Sequence, residues 1–185
     1  MHKHLFIYGI FFSVLMACKP ISIDKEKRKL AILEQKIDAQ FDSLHLISTV
    51  QLLNMEDSVK KLSKQFHKNT HDSISIVFSK QMLRNFEHLG LRLASFRNYR
   101  DSLQYELEFS EQQIQHLKAD LEHRIWDKEQ FYIFYVQETK SIRKNEKRIH
   151  ENNKLMRQEL KTYADYKRKI LAVIDEQQQN ASSEK

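Results

Sequence analysis

The sequence predicts an all-α protein: an elongated antiparallel bundle of about three long helices packed through coiled-coil-like heptad seams. Three observations predict it. Two glycines and one proline in 185 residues are too few to supply the Gly, Pro and Asn-Gly turns that hairpins and β-sandwiches need. Charged residues make up 30% of the chain, and Leu, Lys, Glu and Gln recur, which is the composition of long helices. Apolar residues return at spacings of three and four along most of the length, the mark of helices buried along one stripe.

The first segment is of a different kind. A short basic start, Met1-His2-Lys3-His4, leads into an apolar run from Leu5 to Ala17. About thirteen residues fall short of the roughly twenty that cross a bilayer, but they suit the apolar core of a secretory signal peptide. The run ends in Leu15-Met16-Ala17-Cys18, followed by Lys19-Pro20, and Cys18 is the only cysteine. A Leu three residues before a Cys, with a small Ala directly before it, resembles the lipobox of bacterial lipoproteins. That resemblance implies a diacylglycerol on the Cys18 thiol, cleavage between Ala17 and Cys18, and acylation of the new Cys18 amine. Two or three acyl chains on one residue anchor a protein stably, whereas a single chain does so only marginally. With Cys18 lipidated, no thiol remains for a disulfide or a cysteine-based metal site. The lipobox, the scarcity of Gly and Pro, and the helical repeat together are similar to the small helical lipoproteins of Bacteroidota. No acidic run follows Cys18, so the expected location is the cell envelope, on the outer membrane and facing the periplasm.

The expected organisation is a signal peptide over 1–17, a lipidated cysteine and tether over 18–23, a helical domain over 24–176 and a polar disordered tail over 177–185. The mature chain of about 168 residues is one domain's length. Pro20 blocks helix in the tether. Asp24 is placed to cap the first helix, although the basic run Lys25 to Lys29 opposes the macrodipole. Its core stripe runs through Leu30, Leu33, Ile37, Phe41, Leu44 and Ile47, then Leu52, Met55, Val59, Leu62 and Phe66. Between Ile47 and Leu52 the register slips by about one residue, like a stutter that unwinds a supercoil locally. The first turn is expected at His67 to Asp72, with Asn69 left-handed and Thr70 or Asp72 capping the next helix.

The second helix carries two rows at sevenfold spacing. Met82, Leu89, Phe96, Leu103 and Leu117 form one, with Ser110 in the intervening place. Phe86, Leu93, Leu107, Ile114 and Leu121 form the other, interrupted by Arg100. Gly90 lies inside this seam at a cost of about 1 kcal/mol relative to Ala, which suits a close approach between helices. Asp101 with Gln104 makes a capping box, so Asn98 to Ser102 is a second place for a break. The next turn is read from capping alone. Asp127 with Gln130 has capping-box spacing, and Trp126 with Phe131 has hydrophobic-staple spacing, so a turn at Glu122 to Asp127 precedes a helix from Lys128. The rival is one uninterrupted helix from about Ser73 to Glu176. Three helices of roughly 44, 50 and 50 residues, about 65 to 75 Å long, cover one another better.

The third helix opens on Phe131, Tyr132, Phe134 and Tyr135, too aromatic a group for a solvated face. Tyr135, Ile142, Ile149, Met156, Tyr163 and Ile170 follow at sevenfold spacing, while Glu138, Asn145 and Asn152 stand in the companion row where apolar residues belong. This poor seam makes Phe131, Tyr132, Phe134, Tyr135, Ile142 and Ile149 the candidate partner-binding residues, for another protein or for a second copy of the chain.

Chemistry beyond Cys18 is sparse. His67 and His71 straddle a loop; His116, Asp120 and His123 share a face but lack the second Asp/Glu-x-x-His that a di-iron bundle carries. No zincin pattern, phosphate loop or nucleophile elbow occurs, and no catalytic residue, cofactor or metal is expected. The basic residues Arg143, Lys144, Lys147, Arg148, Lys154 and Arg157 interleave with Glu138, Glu146, Glu151 and Glu159, the pattern of a solvated face rather than a nucleic-acid site. The reading is therefore a membrane-anchored envelope lipoprotein acting as a helical interaction or scaffold module. The alternative is an envelope carrier holding a ligand or metal in the bundle interior.

Overall fold

The structure, a computed structural model, describes residues 22–69 and 76–183, the side chains at 69, 76–78 and 180–183 excepted. The lipobox, most of the tether and the Thr70 and Asp72 caps lie outside the described residues. Four helices account for nearly all of the rest: α1 (Ile23–His45), α2 (Thr49–Asn69), α3 (Ile76–Glu122) and α4 (Lys128–Ser183). No strand occurs among the described residues, and the chain is an all-α helical bundle. No described helix is long and apolar enough to cross a membrane.

The chain divides into two compact units. One joins the chain up to Asp38 to Glu108–Lys144; the other joins Ala39–Leu107 to the chain from Asn145 onward. In the first unit the start of α1 lies antiparallel to the end of α3, because Lys27 pairs with Glu122 at 2.6 Å and Glu34 with Lys118 at 2.6 Å. Its core takes Leu30, Leu33 and Ile37 from α1, Ile114, Leu117 and Leu121 from α3, and Phe131 and Ile142 from α4. In the second unit α2 runs antiparallel to α3, with Glu56 on Arg97 and His67 near Glu87. There α3 runs antiparallel to α4, with Arg92 on Glu159 and Phe86 stacked near Tyr163. Both sevenfold rows of α3 face inward: Arg100 and Ser110 are as buried as the leucines that flank them.

Four local expectations are corrected. First, α1 starts at Ile23, with the Glu26 N–H donating to the Ser22 carbonyl at 3.0 Å. Asp24 and Glu26 then lie in the first turn, where their charge suits the dipole, and Lys29 reaches Glu26 at 2.6 Å. Second, the register slip at Ile47 is a true break at 46–48 rather than a stutter. Ser48 caps α2, its Oγ accepting from the Gln51 N–H at 3.0 Å, and the interruption lets both Ile47 and Leu52 turn inward. Third, α3 does not break at Asn98 to Ser102, because Arg100 and Leu103 both bury on the continuous seam. Fourth, the expected disordered tail is helical through Ser183. Ile170 and Ile174 are buried just before it, and neither Gly nor Pro follows to stop the helix.

The turn between α3 and α4 falls where expected. Its capping box forms: Asp127 Oδ1 accepts from the N–H groups of Glu129 at 2.9 Å and Gln130 at 2.8 Å, and Gln130 Oε1 accepts from the Asp127 N–H at 3.3 Å. The staple differs, because the Trp126 ring meets Phe134 at 4.8 Å. The end of α3 closes without glycine. Ile125 N–H donates to the Asp120 carbonyl at 3.0 Å and Arg124 N–H to the Leu121 carbonyl at 3.3 Å, the paired bonds of a Schellman ending. Arg124 occupies its left-handed position at φ 55°. Gly90 marks a close approach as expected: a Cβ there would stand 2.9 Å from Val59 Cγ1.

Candidate functional site

The candidate partner residues divide sharply by burial. Phe131, Ile142 and Ile149 are buried by the chain itself. This corrects their assignment to a partner: they are core residues, and the seam that looked half-built in sequence is closed within the chain. Ile142 helps fill the first unit, and Ile149 packs with Leu44, Leu103 and Leu107 in the second. Tyr135 is half-buried, stacked near Phe131 at 6.1 Å with Lys29 Nζ 5.6 Å over its ring. Tyr132 and Phe134 stay outward, with Ile125 and Ile133 near them in the chain; these four are 37 to 58% exposed.

This exposed cluster is held firmly from beneath. Trp126 donates through Nε1 to Asp120 Oδ2 at 2.9 Å while its ring packs on Phe134. A concavity of about 80 Å³ lies alongside, lined by His116, Asp120 and Glu138 among others. Burial pushes the Glu138 carboxyl above the usual range. Asp120 is engaged by the indole, and His123 lies out on the turn after α3. No group of three His, Cys, Asp or Glu among the described residues is placed to hold a metal.

The polar companion row of α4 faces inward rather than outward. Asn145 and Asn152 are buried. Arg148, beside them, is tied to Glu106 and donates to the Tyr99 hydroxyl at 2.9 Å; the Tyr99 bond and the Glu106 carboxylate hold the guanidinium above its ordinary pKa against desolvation. Asn153 donates through Nδ2 to the Ser43 carbonyl at 2.8 Å. On α3, buried Arg100 donates to the Ile47 carbonyl, which the break between α1 and α2 leaves open. Burial pushes the Arg100 pKa down, with Asp101 acting the other way. The two faults in the predicted seams, the slip at Ile47 and the cation at Arg100, are thus one interaction. Each was visible in the sequence; nothing there paired them.

Two surface features of the second unit were not singled out in the sequence, although Lys154 and Arg157 of the second were read as part of a solvated face. Leu46, Val50 and Leu53 stand outward around the α1–α2 break, 41 to 65% exposed, at spacings of four and three. They lie off the core stripe, and that was the available signal. On α4, His150, Lys154, Arg157 and Lys161 recur at spacings of four, three and four along an open groove of about 460 Å³, with Ser43 and Asn153 at its floor. Lys147, by contrast, lies 3.8 Å from Glu151, an i,i+4 pair of the solvated kind.

Comparison with protein-family models, with curated proteins and with solved structures found no match.

Proposed function

We propose that the chain is an envelope lipoprotein, held to the outer membrane through Cys18 and facing the periplasm, that acts as a helical interaction module rather than a catalyst. The observation that carries the module reading is the exposed stripe Leu46, Val50 and Leu53. Val50 and Leu53, three apart on the firmly capped start of α2, and Leu46 in the turn just before it offer a partner helix the apolar anchors it needs. The rigidity beneath them comes from the Arg100 bond to Ile47 and the Ser48 cap. The lipobox Leu15-Met16-Ala17-Cys18 after the short apolar run supports the location.

Two measurements test this reading. Mass analysis of the mature N-terminus in the native host tests the anchor, since a Cys18→Ala chain that is still cut and still pellets with membranes defeats the lipoprotein assignment. Cross-linking of the lipidated protein in its own envelope tests the module. A defined adduct that Leu46→Ser/Val50→Ser/Leu53→Ser weakens, with helicity unchanged, is the expected result, and an adduct indifferent to those changes defeats it. The second reading, an envelope carrier, has one observation in its favour, the basic groove along His150, Lys154, Arg157 and Lys161. Native mass spectrometry and elemental analysis of protein from its own host test it, and an empty protein removes it.

A further inference from the structure

We infer that the exposed cluster Ile125, Tyr132, Ile133 and Phe134 sits in the lipid headgroup and upper acyl region of the membrane that holds the Cys18 anchor, making a second, non-covalent membrane contact. The inference rests on the lipoprotein reading. Its geometric basis is the shortness of the tether. Only Lys19, Pro20 and Ile21 separate Cys18 from Ser22, so the lipid-bearing residue lies within about 14 Å of the start of α1. From Ser22 to Lys27 the helix rises only about 8 Å. Lys27 then pairs directly with Glu122, at 2.6 Å, the last residue of α3. The turn that follows Glu122 carries Ile125 and Trp126, and the first turns of α4 carry Tyr132, Ile133 and Phe134. The anchor and the cluster therefore belong to the same end of the same unit.

The chemistry of the cluster fits a bilayer interface. Tyr and Trp place an apolar ring in the acyl boundary and a polar tip among headgroups, which is why they gather at membrane surfaces. Ile133 and Phe134 add the apolar area that drives insertion, at roughly 25 cal/mol for each square ångström removed from water. Arg124 and Lys128 near the turn are balanced by Glu122, Asp127 and Glu129, so the contact rests on the apolar and aromatic side chains rather than on charge. Trp126 is held by its bond to Asp120 and its packing on Phe134, so the turn at this end of the unit is ordered before it meets lipid. Acyl chains on Cys18 hold the first unit at the membrane and make insertion of these four side chains an intramolecular event.

Trp126 is the only tryptophan of the chain, so one fluorophore reports on the contact. The full lipidated protein is reconstituted into phosphatidylethanolamine–phosphatidylglycerol vesicles, either plain or carrying brominated acyl chains. The expected result is strong quenching of Trp126 emission by the brominated chains, and its reduction in the variant Tyr132→Ser/Ile133→Ser, which keeps Phe134 against the Trp126 ring. Both positions are exposed, and unchanged far-ultraviolet dichroism checks the fold. Emission that is equal in both vesicles, with lipid on Cys18 established by mass, overturns the inference and leaves the lipoprotein reading standing. Quenching that the double variant does not reduce overturns it as well. A mature Cys18 without lipid defeats both.

Discussion

Replacing Gly90 with alanine sets two terms of known sign against each other. In an open helix the change stabilises by about 1 kcal/mol, because glycine loses more backbone entropy on folding. At position 90 the new Cβ meets Val59 Cγ1 at 2.9 Å and Val59 Cβ at 3.4 Å. Val59 is buried and β-branched, with one strongly preferred rotamer in a helix, so its methyl groups have nowhere to turn and α2 must move off α3. Forcing an extra methyl into a packed core costs about 1 to 3 kcal/mol, so Gly90→Ala destabilises by up to about 2 kcal/mol net. At this chain length that lowers the melting temperature by roughly 2 to 4 °C per kcal/mol. Val59→Ala alone deletes two buried methyls and costs about 2 kcal/mol. In the double variant the alanine at 90 occupies space that Val59 vacates, so the two changes couple favourably by about 1 to 2 kcal/mol. Urea unfolding followed by far-ultraviolet dichroism measures all four corners of the cycle. A stabilised Gly90→Ala chain whose effect adds simply to Val59→Ala would refute the close-approach argument.

Three further outcomes follow from the same geometry. Arg100→Ala leaves the Ile47 carbonyl without its donor and opens space in the seam, so it lowers stability by about 1 to 3 kcal/mol in urea unfolding, and backbone amides around Ile47 exchange faster with deuterium. Arg124→Gly relieves a left-handed residue at the Schellman position and raises the melting temperature, by an amount corresponding to about 1 kcal/mol. Glu138→Gln removes a half-buried carboxylate whose folded pKa lies above its unfolded one. Above the folded value both states are ionised and the native state bears the desolvation penalty, so the variant is the more stable protein at neutral pH; that advantage disappears as pH falls through the unfolded value of about 4.3, which unfolding curves at several pH values will follow.

The fold was legible because heptad spacing and helix capping are local signals. The rows Met82 to Leu117 and Phe86 to Leu121 face inward as read, Asp127 and Gln130 cap the helix that their spacing announces, and Gly90 lies at a close approach. What the sequence concealed is pairwise. A polar residue on a seam is compatible with a gap in the core, a partner outside the chain or a buried bond, and only the neighbouring helix decides. Asn145 and Asn152 therefore suggested an unfinished surface, and Arg100 read as a plain interruption of its row, although it answers a carbonyl that lies 53 residues away in the chain. The candidate partner face failed in part for the same reason. Phe131, Ile142 and Ile149 are apolar at core spacing, and core is what they form, whereas Ile125, Ile133 and the stripe at Leu46 to Leu53 stand outside any row and were overlooked.

The bond between Arg100 and Ile47 bears on how a repetitive chain finds a single alignment. A heptad seam is nearly unchanged when one helix slides along its neighbour by seven residues, so leucines meet leucines again and the slipped state loses little contact. In α3 such a slide would bring Leu93 or Leu107 opposite the open carbonyl of Ile47, leaving that carbonyl dry and unpaired and carrying the Arg100 charge into an apolar layer. The unpaired carbonyl costs about 1 to 3 kcal/mol and the stranded charge about 3 to 5, together comparable to the whole stability of a modest domain. The break between α1 and α2 thus works as an index mark: an interruption in each helix that coincides at one offset and at no other.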